Sequence, residues 1–350
     1  MRVMVLAHGH PELVAGGAER AAYSLFQRLR EDPDVEHAVF VARVEPQAVG
    51  HSALFGSFRS RADEIVATPP AVDGFTFQSL HLDVLRQMVD ELVAFVRPTV
   101  VHIHHFIFWG VEIVDLFKRA GVRVVFTIHE YAAICANYGQ MIKVDGRLCY
   151  AASPAECSMC FPAHSPGKFF VRNTVLRQLL DGVDAFVAPS RFLKQRFVAW
   201  GVAEARIVVI ENMLDRLVLA RRRELPPRLP RRADARTRIV FGFFGQINPF
   251  KGLDILLQAA LMLPDEVKAR VEIRIHGENR YYRTGEFGEK LAALLDQAGA
   301  VTRSMGAYRN EDVIGLMAAC DWIVVPSVWW ENSPIVIQES RMAGRPMICS

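Results

Sequence analysis

In Asp321-Trp-Ile-Val-Val-Pro326, followed by Glu331-Asn-Ser-Pro-Ile-Val-Ile-Gln-Glu339, the chain passes from a predicted buried strand through a turn into a predicted helix. Ser333 is predicted as the N-cap of that helix and Pro334 as its first residue, and Gly344 ends it. Unpaired backbone N–H groups at a helix N-terminus face the carboxyl end of the sheet, where they favour an anion. The stretch therefore predicts an α/β fold with an anion-binding edge.

Two carboxylates accompany this predicted anion site. Glu331 lies in the turn, and Glu339 lies within the following helix. Carboxylates only accept hydrogen bonds, so they suit hydroxyl groups at both ends of a ligand whose middle is anionic. A nucleotide-sugar is such a ligand.

Composition narrows the class of protein. The chain has 350 residues, of which 51% are hydrophobic and 23% charged, which fits two globular domains. A formal net charge of +3 is too small to indicate nucleic acid as a partner. No apolar run reaches the ~18 residues of a membrane span, and the short apolar start reads as a first strand. We expect a cytoplasmic protein with reduced or metal-bound cysteines.

Apolar strands alternate with amphipathic helices in two blocks. This pattern predicts two Rossmann-like domains whose parallel sheets face each other across a cleft. The predicted boundaries are residues 1–222 for an acceptor-side domain with a Cys-rich insertion at 131–165, 223–236 for an Arg- and Pro-rich linker, and 237–350 for a nucleotide-sugar-binding domain. The second domain is expected to be incomplete at its C-terminus.

Several motifs occur in an order that resembles a known family. They are Gly16-Gly17-Ala-Glu19, Thr127-Ile-His129-Glu130, Ala188-Pro-Ser190-Arg191, Gly245-Gln246-Ile-Asn-Pro-Phe-Lys251-Gly252, His276-Gly277, Ala319-Cys-Asp321 with Pro326-Ser327, and the Glu331–Glu339 pair. Together they resemble the retaining nucleotide-sugar glycosyltransferases of family 4, which have the GT-B fold. The resemblance extends over the whole chain.

The resemblance implies a transferase that moves a hexosyl-type sugar from a nucleotide-diphosphate sugar to a glycan, lipid-linked or small acceptor. It implies catalytic roles for His129 at the sugar, Lys251 at the diphosphate and Glu331 at the sugar hydroxyls. The implied donor-binding residues are Gly16, Gly17, Gln246, Gly277, Asn332, Ser333, Pro334 and Glu339. Gln246 replaces the usual arginine, so this position lacks a charge that the family normally has.

The residues alone leave other readings open at some of these positions. Gly16-Gly17 is also typical of a tight turn, and His129 of a histidine packed at a strand end. A GT-B sugar-nucleotide epimerase, or a catalytically silent nucleotide-sugar-binding or scaffold protein, remains an alternative to a transferase. No catalytic metal is expected.

The cysteines of the insertion form a separate prediction. Cys135, Cys149, Cys157 and Cys160 occur within 26 residues, and Cys157-Ser-Met-Cys160 has the spacing of a zinc-binding pair. A structural zinc, reduced packing thiols and disulfides are the three alternatives. A further hypothesis concerns the linker and the two residues before it, where Arg221, Arg222, Arg223, Arg231 and Arg232 form either a solvated hinge or a peripheral contact with anionic lipid.

Overall fold

The computed structural model describes residues 1–14, 16–45, 54–214, 238–279 and 284–350. The chain divides into two compact units, Met1–Met213 (unit 1) and Leu214–Ser350 (unit 2). The predicted linker, residues 223–236, lies outside the described residues together with its arginines. The linker boundaries and the lipid hypothesis therefore stay predictions.

Unit 1 contains one eight-stranded sheet in the order β3-β4-β2-β1-β5-β6-β7-β8. In chain order its strands and helices are β1 (Arg2–Ala7), α1 (Gly17–Leu29), β2 (His37–Arg43), β3 (Phe55–Phe58), β4 (Arg61–Ala67), α2 (Leu82–Val96), β5 (Val100–Ile103), α3 (Ile113–Arg119), β6 (Arg123–Thr127), α4 (Pro154–Cys160), α5 (Pro166–Leu180), β7 (Ala185–Ala188), α6 (Arg191–Trp200) and β8 (Ile207–Val209).

Unit 2 contains a five-stranded sheet in the order β11-β10-β9-β12-β13. Its elements are β9 (Ile239–Phe244), α7 (Leu253–Leu261), α8 (Asp265–Lys268), β10 (Val271–His276), α9 (Glu286–Gln297), β11 (Thr302–Gly306), α10 (Val313–Ala318), β12 (Trp322–Val325), α11 (Ile335–Met342) and β13 (Met347–Cys349).

The predicted class, two Rossmann-like α/β domains with parallel sheets, is confirmed with one local exception. Among the described strands all pairings are parallel apart from β3, which pairs antiparallel with β4 at the sheet edge. A tight turn at Arg59 and Ser60, both with positive φ, joins these two strands. A hairpin needs only such a turn, whereas a parallel pair needs a long crossover.

Alternate residues of β9 show why both faces of the second sheet are covered. Phe243 packs with Leu253 and Leu257 of α7, whereas Val240 and Phe244 pack in a second cluster with α10. Side chains alternate across a strand, so an apolar strand buries both faces when helices lie on both sides.

The order of the strands fixes where a ligand can enter each unit. In unit 2 the chain runs outward from β9 through β10 to β11, and then returns to place β12 on the other side of β9. In unit 1 the same reversal lies between β1 and β5. Ligands of such sheets bind at the carboxyl ends of the strands beside this switch point.

The last helix begins later than predicted. Pro334 is its N-cap, with φ −68° and an extended ψ of 119°, and Ile335 is the first helical residue. The carbonyl of Pro334 already accepts a hydrogen bond from the Ile337 N–H, at 3.0 Å. The prediction of Ser333 as N-cap and Pro334 as first residue is therefore wrong by one position. Gly344, at φ +65°, follows the helix as predicted.

Candidate functional site

The switch point of unit 2 brings two of the predicted catalytic residues into direct contact. Lys251 lies in the loop after β9 and Glu331 in the loop after β12, and their Nζ and Oε1 atoms are 2.5 Å apart. The two side chains are 27% and 19% exposed, so the pair remains open to a ligand. An ammonium and a carboxylate thus lie at the edge where the topology places a ligand.

Backbone contacts hold these two loops together. Gly252, directly after Lys251, is the N-cap of α7 at φ +66°. A Cβ there would overlap the carbonyl oxygen of Pro326, so only glycine allows this approach. The Val328 N–H donates to the Phe250 carbonyl at 2.9 Å and joins the loops a second time.

The loop after β9 is also shaped locally. The Asn248 side chain accepts hydrogen bonds from the backbone N–H groups of Phe250, at 3.0 Å, and Lys251, at 3.2 Å. An Asx turn of this kind fixes the backbone before the helix starts. Lys251 is therefore presented by a preformed turn.

Three different donors converge on one oxygen of Glu331. Ser327 Oγ donates to Oε1 at 2.6 Å and Trp329 Nε1 at 2.9 Å, in addition to Lys251 Nζ. The Lys251 ammonium also lies 5.3 Å from the centroid of the Trp329 ring. The carboxylate is therefore fixed in place before any ligand arrives.

The second glutamate of the motif lies in a different environment. Glu339 is in α11 and is only 3% exposed, and Asn332 is also buried. Ser333 and Pro334 form the turn between Glu331 and the helix. The motif thus places one carboxylate in the loop and one within the helix, as predicted.

Gln246 and Gly277 belong to neighbouring loops after β9 and β10. The Gly245 N–H donates to the His276 carbonyl at 3.0 Å, and the Ile247 N–H to the Glu278 carbonyl at 3.2 Å. A Cβ on Gly277 would overlap the Gly245 carbonyl oxygen, which explains a glycine at this position. These two predicted residues are therefore brought together at the same edge of the sheet as Lys251.

In unit 1 the carboxyl ends of β1, β5 and β6 gather histidines. His8 follows β1, His104 and His105 follow β5, and His129 follows β6. His104 Nδ1 and His129 Nε2 are 2.9 Å apart, so one ring donates to the other, and the His8 and His105 rings are 4.6 Å apart. The predicted residue His129 is thus part of a cluster at the switch point of unit 1.

Burial keeps two imidazoles of this region neutral, those of His102 in β5 and of His129. Burial lowers the pKa of His102 to about 4, and burial followed by the charge of His8 lowers that of His129 to about 3. Both rings are therefore uncharged at neutral pH, when they can each donate one hydrogen bond and accept one.

The predicted glycine loop carries a buried carboxylate in this cluster. Glu19 Oε1 lies 3.0 Å from His8 Nε2. Burial alone would raise the pKa of the Glu19 carboxyl, but its hydrogen bond with His8 and the charge of that ring hold the pKa below the usual value. A Cβ on Gly16 would overlap the Glu19 carboxylate, and Gly17 is the first residue of α1. Gly16 therefore makes room for Glu19.

Glu130, next to His129, has an unusual environment. Its Oε1 lies 3.3 Å from His105 Nε2, and its Oε2 accepts a short hydrogen bond from the Ala132 N–H. Burial raises the pKa of the Glu130 carboxyl to about 8, against the effects of that hydrogen bond and of the Arg172 charge. The carboxyl is therefore mostly protonated at neutral pH.

The insertion cysteines form no disulfide. Cys135, Cys149, Cys157 and Cys160 are all free thiols. Burial raises the pKa of the Cys157 thiol to about 11, and the charges of the other three cysteines act in the same direction. Within the residues that the structure describes, no three or more His, Cys, Asp or Glu side chains form a group arranged to hold a metal ion. The zinc hypothesis thus rests on the spacing of the cysteines in the sequence and stays a prediction.

None of the described helices combines the length and the apolar character needed to cross a membrane.

Comparison with known proteins identifies the class. HepE of Anabaena, solved in complex with UDP, superposes with a TM-score of 0.64 at 17% identity over 100% of this chain and 80% of that chain. The sucrose-phosphate synthase of Thermosynechococcus elongatus superposes with a TM-score of 0.64 at 16% identity, over 100% of this chain and 81% of that chain. Two Rossmann-like units with these likenesses define a GT-B glycosyltransferase fold.

The family follows from the sequence profiles. Residues 15–216 match the profile described as Glycosyltransferase Family 4, and residues 238–350 match that of Glycosyl transferases group 1. The chain belongs to glycosyltransferase family 4.

Curated relatives are matched over part of their length. The D-inositol 3-phosphate glycosyltransferase of Mycolicibacterium vanbaalenii is 28% identical over 181 residues, which are 50% of this chain and 40% of the relative. A protein of the same name from Mycobacterium sp. (strain JLS) is 27% identical over 183 residues, 50% of this chain and 38% of the relative. The matches thus span about two fifths of these relatives.

Sequence reasoning missed two residues at these sites. His8 directly follows the first strand, and the rule that ligands meet strand carboxyl ends could have found it. Trp329 carries no comparable signal, because a tryptophan two residues before a glutamate is not a motif. Only the folded loop shows that its indole N–H reaches Glu331.

Proposed function

We propose that the chain is a retaining glycosyltransferase that moves a hexosyl-type sugar from a nucleotide-diphosphate sugar to a hydroxyl acceptor. The observation that carries this proposal is the Lys251–Glu331 pair at the switch point of unit 2. A fixed cation suits a diphosphate, and a fixed carboxylate suits sugar hydroxyls.

The chemistry requires charge stabilisation at the leaving group. When the bond between the sugar carbon and the diphosphate oxygen breaks, negative charge grows on that oxygen, and the Lys251 ammonium neutralises it. Glu331 accepts hydrogen bonds from sugar hydroxyls and fixes the reacting carbon in place. By resemblance, the acceptor hydroxyl attacks the sugar carbon from the same face, so the configuration is retained, and the hydroxyl proton passes to the departing diphosphate oxygen. No catalytic metal is assigned to this step.

The nucleotide end is assigned to Glu339, which accepts hydrogen bonds from the ribose, and the diphosphate to the backbone N–H groups of Asn332 and Ser333, in the turn that ends at Pro334. Uridine nucleotides are the first candidates, since HepE was solved with UDP and with UDP-glucose. The role of His129 at the transferred sugar rests on the resemblance.

The acceptor is assigned only as a class: a glycan, a lipid-linked sugar or a small hydroxylated molecule. Inositol 3-phosphate is one small acceptor to test, because the relatives carry it in their name.

The test begins with a thermal-shift screen of nucleotide-sugars. A ligand at ~100 times its dissociation constant adds about 2.7 kcal/mol to the free energy of unfolding. The stabilising donor is then incubated with candidate acceptors, and released nucleotide and glycosylated product are measured together. Transfer supports the proposal. Sugar isomerisation without transfer indicates an epimerase, and saturable binding without turnover indicates a silent binder; either result overturns it.

Two substitutions distinguish the ends of the ligand. Glu339→Gln should weaken donor and free nucleotide alike, because the ribose is common to both. Glu331→Gln should spare free nucleotide and lower turnover, because its partner is the sugar. Equal weakening of free nucleotide by both variants would show that the two ends are wrongly assigned.

A further inference from the structure

The donors to Glu331 come from two different loops. Ser327 and Trp329 lie in the same loop as Glu331, between β12 and α11, whereas Lys251 comes from the loop after β9. Within residues 238–279 and 284–350, the side-chain hydrogen bonds of Glu331 all end on Oε1. Two neutral donors therefore come from the same loop as the carboxylate, and the one charged donor comes from the loop after β9.

Binding of a diphosphate changes this balance. A diphosphate carries more negative charge than one carboxylate, so it competes with Glu331 for the Lys251 ammonium. Once the ammonium turns to the phosphates, Glu331 faces a like charge without its counter-ion. The carboxylate then keeps its position only if the neutral donors hold it.

We propose that Trp329, assisted by Ser327, is a positioning residue that holds Glu331 for the sugar while the nucleotide diphosphate draws Lys251 away. This inference rests on the proposed function. The Lys251–Glu331 pair is then the resting arrangement of the ligand-free site. The contact between the Lys251 ammonium and the Trp329 ring, at 5.3 Å, is broken when the diphosphate binds.

Trp329 suits this role because one side chain makes both contacts. Its indole N–H donates to Glu331, and its ring faces the Lys251 ammonium. The ring also lies 6.4 Å from the Phe250 ring, in the loop that presents Lys251. Replacement by phenylalanine keeps an aromatic ring and removes the N–H, so it separates hydrogen bonding from packing.

The experiment compares Trp329→Phe with Trp322→Phe in the full chain. Trp322 is an exposed residue at the opposite end of β12, so it is a matched control for the same substitution. UDP binding is measured by calorimetry and by tryptophan fluorescence, and transfer is measured with the donor found above. Ser327→Ala removes the other neutral donor and gives an independent test should Trp329→Phe fold poorly.

We expect Trp329→Phe to bind UDP within about threefold of the wild type, and its kcat to fall roughly ten- to a hundredfold, the usual effect of losing a hydrogen bond to a charged group. Ser327→Ala should likewise keep its UDP affinity and have a lower kcat. UDP should change the tryptophan fluorescence of the wild type and of Trp322→Phe, and this change should be lost in Trp329→Phe.

An unchanged kcat in both Trp329→Phe and Ser327→Ala would overturn this inference and leave the proposed function intact. So would an equal fluorescence response to UDP in Trp329→Phe and the wild type. If the wild type binds neither UDP nor any nucleotide-sugar and transfers nothing, the proposed function fails, and the inference fails with it.

Discussion

Replacement of Gly252 by alanine tests whether the close approach of two loops builds the site of unit 2. Gly252 has φ +66°, and a Cβ on it would lie 2.8 Å from the carbonyl carbon of Pro326 and closer still to its oxygen. Backbone cannot rotate aside as a flexible side chain can. The loop after β9 must therefore move away from the loop after β12, and Lys251 must move with it.

The structure offers a matched control for the magnitude. Gly344 has nearly the same φ, +65°, but nothing lies within 4 Å of a Cβ placed there. Gly344→Ala should therefore lower the free energy of unfolding only by the cost of a left-handed backbone at alanine, roughly 1–2 kcal/mol. Gly252→Ala should lower the free energy of unfolding by the same backbone cost and by a further steric cost of about 1–3 kcal/mol, typical of overpacking.

The assay is urea unfolding of both variants, with UDP affinity measured on the same preparations. We expect Gly252→Ala to have the lower midpoint and weaker UDP binding, whereas Gly344→Ala should bind UDP as the wild type does. Equal stability and equal UDP affinity in the two variants would refute the argument that this contact positions Lys251.

Three further predictions concern unit 1. In the wild type the folded Glu130 carboxyl, with a pKa of about 8, holds a proton that the unfolded chain releases, so the free energy of unfolding should fall as pH rises from about 5 to 8. Glu130→Gln should remove this part of the pH dependence. Between pH 6.5 and 4 the free energy of unfolding of the wild type falls partly because unfolded His102 takes up a proton that folded His102 does not. In His102→Gln this fall should be smaller by up to about 3 kcal/mol. Equal acid-unfolding curves for the two proteins would contradict this. Metal analysis without chelators should find about one zinc per chain, reduced in Cys157→Ser. Its absence from the wild type, with all four insertion thiols reactive, would contradict the zinc prediction.

The sequence predicted the elements that carry a strong apolar pattern. The apolar runs alone predict strands at Ala185–Ala188 and Ile239–Phe244 and a helix that starts at Leu253, and the structure has all three with these bounds. Continuous apolar strands followed by helices with clear starts leave few alternatives. The prediction of an anion-binding edge in unit 2 followed from the same pattern.

The region of β2 to β4 was not predicted, and β4 shows a physical reason. Its first half is polar, and its Glu64 is buried, accepting a hydrogen bond from Tyr23 at 3.0 Å and lying 2.9 Å from His10 Nε2. A carboxylate inside a strand hides the apolar alternation, and its partners, 41 and 54 residues away, are visible only in the folded chain.

The site itself was predicted in part. The resemblance identified Lys251 and Glu331, but their contact joins residues 80 positions apart, and no local spacing encodes it. The third partner, Trp329, depends on how the loop after β12 folds back on itself. Tertiary contacts of this kind are set by packing and cannot be read from periodicity.

The most direct test of the central claim, that Lys251 holds the diphosphate of the donor, is calorimetric titration of the wild type and Lys251→Gln with UDP and with uridine. Loss of one charge-assisted hydrogen bond costs about 1.5–3 kcal/mol, so we expect UDP affinity to fall roughly ten- to a hundredfold in Lys251→Gln. Uridine has no phosphate, and its affinity should be the same in both proteins. Unchanged UDP affinity, or an equal loss for UDP and uridine, would contradict the account.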